Sequence, residues 1–140
     1  MHSMEGALEA VRNTEYEVVA HPCDRKNPAF IAGVRRFVER QKLRGVILLP
    51  PVSENDELTR ALTAADCAYV RITYTQLDDP ARIVISNDRL AVAEVANYLV
   101  SLGHKRIGYI AGPSGFRSAI ERQAGFLEAL AARQISLPDE

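Results

Sequence analysis

The run Gly112-Pro113-Ser114-Gly115-Phe116-Arg117-Ser118 joins an apolar, strand-like stretch to an amphipathic one. A turn placed there opens a helix. A helix N-terminus presents unpaired backbone N–H groups and the positive end of its dipole, which suit hydroxyl or anionic ligand groups. Ser118 adds a hydroxyl, and Arg122, one turn further on, falls on the same helical face. The chemistry in view is non-covalent recognition of a small polar ligand. Gly-Pro turns and serine caps also close many strand-to-helix loops that bind nothing, so the motif by itself leaves both readings open.

Covalent chemistry has less support. The chain contains no G-x-G-x-x-G after a strand, no Gly-Lys-Ser/Thr phosphate loop and no G-x-S-x-G elbow, so no catalytic residue is nominated and the expectation is a non-enzyme. His2, His21 and His104 are far apart, and Cys23 and Cys67 lack the C-x-x-C or Cys/His spacing of a zinc site. No metal and no cofactor are expected, and both cysteines read as small core fillers. Asp24 and Asp88 fall at strand ends, as helix caps or as ligand acceptors. Arg71 lies inside an apolar run and needs a partner if buried; Asp24 or Asp66 are the candidates, with a solvated edge as the alternative. Arg35, Arg36, Arg40, Lys42 and Arg44 read as a solvated helix face.

These groups must be positioned by alternating strands and helices. Short, nearly continuous apolar runs at 16–20 (YEVVA), 45–49 (GVILL), 68–72 (AYVRI) and 106–111 (RIGYIA) read as strands covered on both faces, with 82–85 (RIVI) as an edge or crossing strand. Helical periodicity predicts helices over 27–42, around 54–64, over 88–102 and over 116–133, with a partial helix at 5–13. In the first, Phe30, Ile31, Val34, Phe37 and Val38 recur at three- and four-residue steps. In 88–102 the series Ala91, Val95, Tyr98, Leu99 and Leu102 marks the expected buried face, with Ser86, Asn87 or Asp88 as cap and Gly103 as stop. The rhythm predicts an α/β fold with a doubly wound parallel sheet, whose ligands bind beyond the C-terminal strand ends at 21–25, 50–54, 73–76 and 112–118.

Composition narrows the function classes. Apolar residues are 47% and charged residues 25% of the 140, an ordinary globular balance. The net charge of −1 argues against a whole-domain nucleic-acid surface. No apolar stretch is long enough to span a bilayer, and the opening residues lack the pattern of a secretory signal, so the expected compartment is the cytoplasm. Trp is absent and aromatics are 6%, which disfavours a base-stacking platform.

The stretch from Tyr98 through Leu102-Gly103-His104-Lys105-Arg106-Ile107-Gly108-Tyr109-Ile110-Ala111 to Gly112-Pro113 resembles the signature of the LacI/GalR family of bacterial transcription regulators. So do Ser118, Glu121-Arg122 and Ala124-Gly125-Phe126 after it, and Gly45-Val46-Ile47-Leu48 and Ile85-Ser86-Asn87-Asp88 before it. The resemblance covers almost the whole chain in order. It implies a type I periplasmic-binding-protein-like N-terminal subdomain lacking its first strand, over residues 5–140, with residues 1–4 as the start of the chain and no DNA-binding domain. The parent would sense a small effector, commonly a sugar, in a cleft between subdomains and shift the operator affinity of a helix-turn-helix headpiece. By position, Ser118 and Arg122 match effector contacts, Phe116 a variable specificity position, and Leu49 and Thr73 the pocket lining. Thr73 stands where many members have Asp, so that contact is altered. The implied homodimer interface runs from the first helix through Ala20, His21 and Asp24 to Phe30, Val34 and Phe37, some of which must instead be intrachain core. A missing first strand would leave a gap beside YEVVA or GVILL with unpaired backbone groups. The alternative is a fragment of a periplasmic-type sugar-binding transport protein.

Overall fold

The computed structural model describes residues 2–135. Five helices and three strands follow in chain order: α1 His2–Val11, α2 Phe30–Gln41, β1 Gly45–Leu48, α3 Asp56–Ala64, β2 Ala68–Thr73, β3 Ile83–Ile85, α4 Asp88–Ser101 and α5 Arg117–Ala131. The strands form one parallel sheet in the order β1-β2-β3. Register pairs Val46 with Tyr69, Leu48 with Arg71 and Thr73 with Ile85, so these side chains share one face. The parallel α/β architecture expected from the sequence is present.

Each helix ends for a local reason. Asn55 caps α3 by accepting from the Leu58 N–H at 2.8 Å, and Asn87 caps α4 from Leu90. Gly103 stops α4 with φ of 86°, a left-handed value that an L side chain resists. Lys42 closes α2 in the same region.

Two apolar clusters hold the described residues. In the first, Val34 and Val38 of α2, Leu58 and Leu62 of α3, Leu48 of β1 and Cys67 pack together on one face of the sheet. In the second, Ala96 of α4 meets Phe126, Ala129 and Leu130 of α5, with Ile107 and Tyr109 alongside. The Tyr109 and Phe126 rings stack at 4.7 Å. A Cβ on Gly125 would sit 2.0 Å from the Arg89 carbonyl oxygen, so glycine is what lets these two helices touch backbone to backbone.

Several expectations are corrected. Residues 16–20 and 106–111 join no strand. A strand exists only where a neighbour takes up its backbone groups, and neither segment has one. Among the described residues β1 ends the sheet on one side and β3 on the other. The buried face of α4 is Ala96 with Val92, Ala93 and Val100, whereas Val95, Tyr98 and Leu102 are exposed. Helix α4 is apolar on both sides, so periodicity could not choose between them. Arg71 is buried but pairs with Asp56 and Asp78, not with Asp24 or Asp66. Cys67 is a core filler; Cys23 is exposed.

Candidate functional site

The C-terminal ends of β1 and β2 lead into loops that a buried arginine ties together. Arg71 Nε donates to the Ser53 carbonyl at 2.6 Å, Nη2 to Asp56 Oδ1 at 2.8 Å and Nη1 to Asp78 Oδ2 at 3.3 Å. The Tyr69 hydroxyl donates to the same Asp78 oxygen at 2.8 Å, and Ser53 Oγ donates to the Ile72 carbonyl at 2.6 Å. With every guanidinium nitrogen engaged, a 1% exposed arginine is tolerable in the core. Burial pushes the Asp78 carboxyl up, but hydrogen bonds from the Asp79 N–H, the Tyr69 hydroxyl and Arg71, with the Arg71 charge, outweigh it and hold it below the ordinary carboxylate range.

Against these loops stands the N-terminus of α5. No side chain caps it. The Arg25 guanidinium lies 5.3 Å from the centre of the Phe116 ring, and Arg117 Nη1 donates to Thr75 Oγ1 at 3.3 Å. Arg25, Phe30, Pro51, Val52, Glu54 and Asn55 line a shallow hollow of about 230 Å³ beside that contact. One turn into α5, Arg122 Nε lies 3.8 Å from Asp88 Oδ2, while Asp88 Oδ1 accepts from the Ser86 hydroxyl at 2.6 Å. Arg89 is forked between Glu121 and Glu128, and this pairing, led by the hydrogen bond from Arg89, lowers the Glu128 carboxyl.

Each residue singled out from the sequence has a definite place. Phe116 and Arg122 are exposed at the start of α5, and Ser118 between them is half-buried. Leu49 is exposed just past β1. Thr73 is wholly buried, its hydroxyl donated to the Thr75 carbonyl at 2.7 Å. Among the interface candidates, Val34 is intrachain core, Phe30 packs against that core, and the Phe37 ring stacks on His21 at 4.2 Å. Ala20 and His21 are exposed. So is Asp24, which caps its own turn by accepting from the Lys26 N–H. Sequence reasoning missed Arg25, Thr75 and Arg117 as members of this cluster. Arg117 lay inside the quoted motif, but nothing in the spacing pointed it toward Thr75. Among the described residues no group of three or more His, Cys, Asp or Glu is placed to hold a metal ion.

No protein-family model matches the chain. Over 57 residues, 41% of the chain, it is 35% identical to the "Probable HTH-type transcriptional repressor ExuR" of Bacillus subtilis (strain 168), of which the match spans 17%. A LacI transcriptional regulator from Bacillus cereus subsp. cytotoxis NVH 391-98 superposes with a TM-score of 0.68 at 28% identity, over 96% of this chain and 47% of that one. A ribose operon repressor from Burkholderia thailandensis superposes with a TM-score of 0.74 at 24% identity, over 98% of this chain and 52% of that one. The chain therefore spans about half the length of these solved relatives and less of the curated one. Its fold is the parallel α/β, periplasmic-binding-protein-like fold of these regulators. Sequence and structure together bear out the resemblance to the LacI/GalR family.

Proposed function

We propose that these residues are the effector-sensing part of a LacI/GalR-type transcription regulator, and that a small polyhydroxy ligand, a sugar, binds where the start of α5 faces the loops after β1 and β2. The observation that carries this is the convergence of Phe116 and Arg117 on Arg25 and Thr75, which brings the start of α5 against the loops before α2 and after β2. In this reading Arg122 supplies a planar donor fork to ligand hydroxyls, Ser118 and the uncapped N–H groups of α5 add further donors, and Phe116 offers a ring for a sugar face. Leu49 lines the wall. Thr73 supports it from beneath through Thr75. The role is binding without catalysis.

In this reading effector binding favours one mutual orientation of two subdomains, of which these residues form one, and that requires unequal affinity for the two orientations. Operator DNA is contacted by a helix-turn-helix headpiece rather than by these residues. The regulator works in the cytoplasm as a homodimer through the Ala20–Asp24 and α2 surface, with His21 and Phe37 at its centre. No described helix is long and apolar enough to cross a membrane. Titration of the isotope-labelled chain with ribose, followed by amide chemical shifts, should move Phe116, Ser118 and Arg122, with weak affinity because only part of a cleft is present. Arg122→Ala should abolish those shifts. Saturating titrations with ribose and a panel of other sugars that leave these three amides still would sink the proposal.

A further inference from the structure

Successive residues of a strand point to opposite faces, so Tyr69, Arg71 and Thr73 share one face of β2. All three are polar, and all three donate to a single loop, residues 74–79. The Tyr69 hydroxyl and Arg71 Nη1 donate to Asp78 Oδ2, and the Thr73 hydroxyl donates to the Thr75 carbonyl. Stability alone does not account for such a face. An apolar side chain of similar volume is often as stabilising as a buried ion pair, whereas directional donors fix where a loop runs.

The far side of that loop meets α5. Thr75 is half-buried, and its Oγ1 accepts from Arg117 Nη1 at 3.3 Å. Arg117 is itself exposed, and this contact orients its planar guanidinium while leaving other N–H donors open. Asp56 supplies a contrast. It accepts from Arg71 Nη2 at 2.8 Å, but it opens α3 and has no part in the 74–79 loop.

We propose that Arg117 is a ligand contact and that Arg71 is its positioning residue. Through Asp78, Arg71 holds the 74–79 loop; the loop holds Thr75, and Thr75 turns the Arg117 guanidinium toward the ligand. The proposal rests on the effector reading above and deepens it. Arg122 lies beside Asp88, 3.8 Å away, so its fork is shared with a carboxylate. The Arg117 fork is set by a neutral hydroxyl and keeps its charge for ligand hydroxyls. A donor fixed before the ligand arrives spares the ordering cost of binding, which is what the buried face of β2 supplies.

The Arg117 side-chain Nε–Hε signal of the isotope-labelled chain, read with and without ribose, tests this. In the ligand-free chain Thr75→Val, Asp78→Ala and Arg71→Lys, which keeps the charge without the planar fork, should all move that signal the same way. Asp56→Asn should leave it in place. With ribose, Thr75→Val and Asp78→Ala should each weaken binding about tenfold, the loss of one charge-assisted hydrogen bond. The double variant should lose no more than either alone, because both act through one contact. Thr75→Val changes a single hydroxyl on the loop, so it decides the matter even if the buried substitutions unfold the chain. An Arg117 signal that Thr75→Val leaves still, or losses of affinity that multiply in the double variant, would overturn the proposal. Ribose shifts at Phe116 and Ser118 that none of these variants weakens would overturn it and leave the effector reading standing. A wild type that no sugar shifts would overturn both.

Discussion

The sheet with α2 and α3, and the pair α4–α5, are built on different principles within one short chain. The first closes around a polar centre: Arg71 collects the Ser53 carbonyl, Asp56 and Asp78 and thereby fixes two loops that the strands alone would leave loose. The second has no such centre. Its helices meet through Ala96, Gly125 and Phe126 in direct contact, and their ion pairs, Arg89 with Glu121 and Glu128, ride on the outside. Loops that must hold a shape need directional bonds, whereas two helices need only complementary surfaces. The proposed ligand-facing wall draws on both kinds of construction.

If the two regions are energetically separate, a change in one should spare the other. Phe126→Ala removes a 3% exposed ring from the α4–α5 cluster and should cost about 3–5 kcal/mol. Amide exchange should show that loss across α4 and α5 while β2 keeps its protection. An equal loss in β2 would mean that the clusters melt as one.

Arg71→Met is the converse. It leaves the Ser53 carbonyl and the Asp78 carboxylate without their buried donor, at a cost of about 3 kcal/mol. Exchange should quicken in β2 and the loops around it, with α4 and α5 unaffected.

The smallest effect is one of pH. Asp78 is depressed in the folded state, so its contribution is full above the unfolded carboxylate value of about 3.9. It disappears as pH falls through the lower folded value. Asp78→Asn should therefore destabilise the sheet region at neutral pH and flatten its stability between about pH 4 and the native transition. An unchanged acid limb in urea titrations of the variant would show that Arg71 holds the loop without Asp78.

The sequence was informative wherever structure depends on neighbours in the chain. All five helices, the caps at Asn87 and Gly103, and the strands β1, β2 and β3 follow from periodicity and end signals. Residues 16–20 and 106–111 carry the same apolar, β-branched content as β1 and β2, yet pair with nothing, because pairing is decided by what lies alongside. The same limit applied to α4, whose two apolar faces cannot be ranked without knowing where α5 sits. At the candidate site, Ser118 and Arg122 were legible as one helical face. Arg25 and Thr75, brought in across 91 and 42 positions of chain, carry no local sign of that meeting, and Arg71's carboxylates lie 15 and 7 residues away, at the start of α3 and in the loop after β2, where no spacing rule places them.

The outer border of β1 is flanked in a way that bears on handling the protein. Lys42 and Arg44 precede the strand, and Pro50–Pro51 follow it almost at once. An intruding strand would find only four residues to bond, with cations at one end and two imino nitrogens that cannot donate at the other. These gatekeepers should keep concentrated solutions from growing fibrils along this rim, even though the rim itself is bare.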